Sequence, residues 1–149
     1  MEPVTRGQIS EITRLTKRTA GGLRGLSLLE ELAASARTFL AVDRMVLLQH
    51  KDDRWEVFSL QHAADLADNR VRRPPDRELM TRVARAARCL TREGPKGSGI
   101  SLAAATPVHR QQAVLGLLYV DRVETVGGAF STEDIEFLEA MAGLAERVL

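Results

Sequence analysis

Cysteine is almost absent: Cys89 stands alone among 149 residues. That excludes an internal disulfide and any metal site built from several thiolates, and it fits a reducing cytoplasm. No apolar run approaches the roughly 20 residues that a membrane helix needs. Residues 1–20 are polar and mixed in charge, without the apolar core of a signal peptide. The histidines, His50, His62 and His109, fall in no H-x-x-x-H or H-E-x-x-H pattern, so no metal site is expected. Residues 92–99, REGPKGSG, lack both G-x-x-x-x-G-K-[ST] and its strand–loop–helix context, which sets nucleotide hydrolysis aside. Nothing positions Cys89 against a histidine, and the helical carboxylates lie on polar faces. The chain does not read as an enzyme.

Excess charge is lacking too. The formal net charge is +1, which gives no general pull towards nucleic acid or membranes. The local exception is residues 70–96, with nine basic residues against Asp76, Glu78 and Glu93. A solvated helix face accounts for it; the sharper reading is an anionic ligand or an acidic partner surface. Direct nucleic-acid binding is not expected. What is present, 44% hydrophobic and 28% charged residues, suits one globular domain able to bury a core unaided.

The organising stretch is residues 106–121, TPVHRQQAVLGLLYVD: an apolar strand, a polar turn over residues 109–112, and an apolar strand. Such a run belongs at the centre of a buried sheet, and Gly116 within it marks a bulge or a close backbone approach. Earlier, residues 5–19 carry a thin helical stripe of Ile9, Ile12 and Leu15, too narrow to stand without a partner. Gly21, Gly22 and Gly25 break that helix. Ser27 and Glu30 form a capping box opening a helix with Leu29, Leu32, Ala33, Ala36, Phe39 and Leu40 on its core face.

Residues 44–50 and 55–60 flank a polar turn and read as a hairpin. In the second run, Phe58 and Leu60 belong to ordinary core or line a cavity, the core being preferred. Residues 61–75 are a long connection with a short helix expected at 63–69; connections of this length cover a site or move. A helix over residues 76–88, capped by Asp76, puts Leu79, Met80 and Val83 inward and Arg82, Arg85 and Arg88 outward. A short strand follows at residues 89–91. After a loop at residues 122–129, Ser131 caps the last helix, with Glu133 and Asp134 in its first turn and Phe130 and Ile135 as a hydrophobic staple. That helix is apolar over about 180°, more than a sheet needs. The surplus packs on the thin helix or on a second chain.

Pro107-Val108, residues 115–121 (LGLLYVD) and residues 130–135 (FSTEDI), together with Ala41-Val42-Asp43-Arg44, resemble the corresponding parts of GAF domains; the likeness runs from Leu26 to Leu149, weakest over residues 61–99. It implies an α+β fold, an α/β/α sandwich whose central antiparallel sheet of about five or six strands has the order 2-1-5-4-3. The N- and C-terminal helices would cover one face, and a middle helix plus loops the other. Residues 1–25 would form a dimerisation or linker helix and residues 26–149 the sensory domain. The function implied is sensory or regulatory, in a bacterial signal-transduction or transcription-regulating protein, with an effector domain in the same polypeptide or a partner protein. The alternative is a ligand-free dimerisation and docking platform.

Candidate ligand-binding residues are Phe58, Leu60, Arg73, Leu79, Val83 and Cys89. Ile9, Ile12, Leu15, Met141, Leu144 and Val148 are candidates for a homodimer interface. No cofactor is assigned. The Asn-Lys…Phe…Asp-Glu signature of cyclic-nucleotide-binding members is missing, as are the cysteines of the methionine-sulfoxide-reducing members. Cys89 beside Arg88 does not match a bilin-attachment context, and His62 reads as an exposed loop histidine rather than a haem ligand.

Overall fold

The apolar run of residues 113–122 has a simple physical origin: both faces of its strand are covered. The computed structural model describes residues 2–94, 97–122 and 128–149, with side chains from Gly7 onward. Residues 95–96 of the glycine-rich connector and residues 123–127 of the loop before the last helix lie outside the described residues. Helices α1 (Glu2–Ala20) and α2 (Gly25–Leu40) lead into strands β1 (Arg44–Lys51) and β2 (Arg54–His62). Helices α3 (Asp68–Val71) and α4 (Arg77–Ala86) precede β3 (Leu90–Glu93), β4 (Leu102–Arg110) and β5 (Ala113–Arg122). Helix α5 (Thr132–Ala145) and a 3-10 turn (Glu146–Val148) end the chain.

The five strands form one antiparallel sheet in the order β2-β1-β5-β4-β3. Alternate residues of its central strands feed two separate cores, as the two-residue period of a strand requires. Met45, Leu47, Ala104, Val108, Leu118 and Val120 pack under α1, α2 and α5. Val46, Leu48, Ala103, Ala105, Leu117 and Tyr119 pack under α4, against Leu79, Met80 and Val83. This is the layered α+β sandwich with the terminal helices on one face and the middle helix on the other.

Gly116 is both a close approach and the neighbour of a bulge. A Cβ there would lie 2.0 Å from the Leu48 carbonyl oxygen. Val108 pairs with Gly116 and His109 with Val114, leaving Leu115 as the extra residue. The turn between β4 and β5 is only Gln111 and Gln112, since the strands reach Arg110 and begin again at Ala113. The first hairpin turns on Asp52 and Asp53, both with positive φ (51° and 61°), the backbone of a tight primed turn whose twist matches the strands.

Three local expectations are corrected. The Ser27 capping box does not form: α2 starts at Gly25 behind Arg24, which makes no side-chain cap, and Ser27 already lies in the first turn. The short helix expected at residues 63–69 falls at Asp68–Val71. Phe58 and Leu60 are not ordinary core, being 47% and 37% exposed. Their strand lies at the sheet edge, and Phe58 is a bulged residue, because Leu47 pairs with Ser59 but Leu48 with Val57. A single inserted residue reverses the inside–outside alternation on which the core reading depended.

Ser131 does cap α5. Its Oγ accepts from the Asp134 amide at 3.1 Å, and Asp134 Oδ2 accepts from the Ser131 amide at 2.9 Å. Asp134 Oδ1 also accepts from Gln8 Nε2 at 2.8 Å, fastening α1 to the start of α5. Phe130, just before the cap, lies under the Arg122 guanidinium, 4.7 Å from the ring centroid. Ser131→Ala should therefore cost about 1 kcal/mol, read as a lower urea midpoint with an unchanged slope. An unshifted midpoint would show that the box adds nothing.

Candidate functional site

The connection from β2 to α4 is held over the sheet by a buried polar network. Arg44, at the start of β1, stands opposite Asp121 near the end of β5, and both are almost inaccessible (1% and 0%). Arg44 Nε donates to Asp121 Oδ1 at 2.9 Å, and its Nη2 donates to Oδ2. Its Nη1 donates to the Val71 carbonyl at 3.1 Å and to the Arg73 carbonyl. Tyr119 donates to Asp121 Oδ2 at 2.7 Å and accepts from the Asp76 amide at 3.1 Å. Asp76 in turn caps α4 by accepting from the Leu79 amide at 3.2 Å. One guanidinium and one phenol thus satisfy the backbone of a connection that would otherwise bury orphaned polar groups.

Protonation follows this geometry. Burial works against the charge of Arg44, but the hydrogen bonds and negative charge of Asp121 outweigh it and hold the guanidinium above its ordinary range. Burial, then the Asp121 charge, pushes the Tyr119 hydroxyl up as well, so it remains a donor.

Between β2 and this tethered connection lie two adjoining cavities of about 160 and 410 Å³, both bounded by Val57, Pro74 and Pro75. The smaller has Arg44 and Val46 in its wall; the larger extends past Trp55 to Met80 on α4. The structure brings Leu60 and Arg73 together at the smaller cavity. Leu79 and Val83 are buried in the contact of α4 with the sheet. Phe58 is exposed at its bulge and lines neither of these cavities. Cys89 packs on the opposite side of the sheet, against the core under α5. Sequence reasoning did not single out Arg44, Tyr119, Asp121 or Trp55 as site residues. A signal existed for Arg44 and Asp121: an arginine and an aspartate at the ends of two strands apolar enough to be central.

Cys89 is half-buried. Burial, then the charge of Glu139, pushes its thiol up to about 12, with a Thr106 hydrogen bond acting the other way. That leaves far less thiolate near neutral pH than an unperturbed cysteine has. Iodoacetamide should accordingly label Cys89 far more slowly in the native protein than in urea. Equal rates would contradict this environment.

On the other face, the thin stripe of α1 lies on α5 and α2 of the same chain. Leu15, Met141 and Leu144 belong to the internal core. Ile12 and Val148 are half-buried and Ile9 is 63% exposed. A groove of about 250 Å³ between α1 and α5 has Ile9, Ile12 and Phe137 in its walls. Among the described residues no three of His, Cys, Asp and Glu are grouped so as to hold a metal. No helix of the described residues is long and apolar enough to cross a membrane.

A sequence model of the GAF domain matches residues 25–149. Among solved structures, the GAF domain from an Acinetobacter phosphoenolpyruvate-protein phosphotransferase superposes with a TM-score of 0.71 at 15% identity, covering 95% of this chain and 91% of that one. Its counterpart from Coxiella burnetii gives 0.69 at 15% identity, over 97% and 94%. The phycocyanobilin-bound GAF domain from a cyanobacterial phytochrome gives 0.62 at 17% identity, over 95% and 94%. At these identities the likeness establishes the fold. Among curated proteins, no sequence matches.

Proposed function

Because the chain belongs to the GAF domain family, we propose that it is a sensory or regulatory module of a bacterial, cytoplasmic signalling or transcription-regulating protein. A small molecule binds between β2 and the connection before α4, and the terminal helices carry the response. The observation behind this reading is the tethered roof over the 160 and 410 Å³ cavities. A ligand that displaces Pro74 or Pro75 pulls on the Val71 and Arg73 carbonyls held by Arg44, and Arg44 is bonded to Asp121 on β5. The connection after β5 leads to α5, which packs on α1. A small shift of packed terminal helices is an established form of output, and their remaining apolar surface at Ile9, Ile12 and Val148 suits a homodimer. The effector would reside in the same polypeptide or in a partner protein.

A thermal-shift screen of small metabolites tests ligand sensing: at 100 times its dissociation constant, a ligand should add about 2.7 kcal/mol of stability. Sedimentation at increasing concentration tests the dimer, and a monomer throughout would remove it. The second reading, a docking platform without a ligand, draws on the exposure of Ile9 beside the α1–α5 groove. A dimer that no metabolite stabilises would favour it.

A further inference from the structure

A third cavity, of about 430 Å³, continues the line of the first two: it shares Trp55 and Thr81 with the 410 Å³ cavity and reaches His50 and Arg85. Trp55 thus stands in the wall of two adjoining spaces, half-buried, with the His50 ring centroid 4.6 Å from its own and the planes tilted by 38°.

Some arginines of this protein hold a carboxylate and others do not. Arg14, Arg44, Arg92 and Arg110 each hold a carboxylate where they meet a neighbouring element. Arg54 and Arg77, which line the 410 Å³ cavity, and Arg85, which lines the 430 Å³ cavity, make no ion pair among the described residues. One carboxylate, Asp53, shares the lining with Arg54 and Arg77. Solvated arginines alone are ordinary. Unpaired arginines in the walls of the same two spaces as a half-buried indole, each space large enough for a small molecule, are a constellation that selects chemistry.

We propose that this cleft takes a small anion with a flat ring. The ring lies against Trp55, whose π-face suits offset stacking, and the carboxylate or phosphate group is held by Arg54 and Arg77, whose planar forks match either anion. Each of the two spaces, about 410 and 430 Å³, is by itself in the ordinary range for small-molecule sites. This assignment rests on the sensory reading, to which it adds the ligand class and three recognition residues, Trp55, Arg54 and Arg77.

Trp55 is the only tryptophan in the chain, so tryptophan fluorescence, excited apart from that of Tyr119, reports on this cleft alone. The probes are benzoate and adenosine monophosphate, with benzamide and adenosine as neutral counterparts and inorganic phosphate as the anion without a ring. Expected is a saturable change with benzoate or adenosine monophosphate, at least tenfold weaker for the neutral counterpart and for phosphate alone. Preference between the two anions identifies the head group as carboxylate or phosphate. Arg54→Gln and Arg77→Gln should each weaken binding about tenfold without moving the thermal midpoint of the unliganded protein, since both side chains are exposed. Equal binding of the neutral counterparts, or of both variants, overturns anion recognition while ligand sensing stands. Phosphate binding as tightly as adenosine monophosphate overturns the ring contact. If the probes leave Trp55 unchanged but the metabolite screen finds a stabilising ligand, this cleft is not the site; if neither experiment gives a response, the sensory reading falls with it.

Discussion

Asp121→Ala is expected to cost about 3–5 kcal/mol, because it leaves Arg44 charged, buried and unpaired. On a domain whose whole stability is about 5–15 kcal/mol, that brings the variant close to unfolding at growth temperature, and urea curves should be recorded in the cold. The loss is not the net worth of the ion pair. Two desolvated charges are expensive even when paired, so exchanging both for apolar groups of similar size should recover much of it. Arg44→Met combined with Asp121→Leu is therefore expected to be more stable than Asp121→Ala alone. The double variant cannot recover the tether, since the Val71 and Arg73 carbonyls lose their donor and Tyr119 loses its acceptor. Its connection between β2 and α4 should be cut by protease much faster than in the parent protein. A cost below 1 kcal/mol for Asp121→Ala, or an uncut connection in the double variant, would contradict this account of the network.

The features legible in the sequence were those with a local cause. The cap at Ser131 is an interaction across three residues. The doubly buried strands show as apolar runs because each residue meets a core on one face or the other, and Asp76 announces α4 through its own side chain. The features that were missed depend on register between distant segments. Arg44 and Asp121 are 77 residues apart, and only the β1–β5 pairing sets them opposite each other. Their one local sign, a charge at the end of an apolar strand, is also what a strand end that meets water would show. Phe58 was misjudged for a related reason, because its bulge is a property of the β1–β2 register. Ser27 and Glu30 match a capping box in spacing, but α2 begins two residues before Ser27. The candidate ligand residues were scattered by the sheet itself. Helix α4 and Cys89 are near each other in sequence, yet Leu79 and Val83 pack on one face and Cys89 on the other.

Gly116→Ala should be among the most damaging single-methyl additions in the protein, and Gly143→Ala should have the opposite sign. At Gly116 the new Cβ would lie 2.0 Å from the Leu48 carbonyl oxygen and 2.8 Å from Leu149 Cδ1. Leu149 is the end of a side chain and can turn away; the Leu48 carbonyl belongs to the backbone of β1, the central neighbour of β5. Relief requires β1 and β5 to separate where both cores meet the sheet, so the cost should reach or exceed the upper end of the roughly 1–3 kcal/mol usual for overpacking. At Gly143 nothing lies within 4 Å of an added Cβ, and the residue is exposed in the interior of α5. There the methyl group restricts the unfolded chain and improves helix propensity, a gain of about 0.5–1 kcal/mol. Chemical denaturation of the two variants side by side compares the same change of one methyl group. Opposite shifts of these sizes are expected. A Gly116→Ala variant as stable as the parent would mean that β1 and β5 do not approach at this point, and the register joining Arg44 to Asp121 would fall with it.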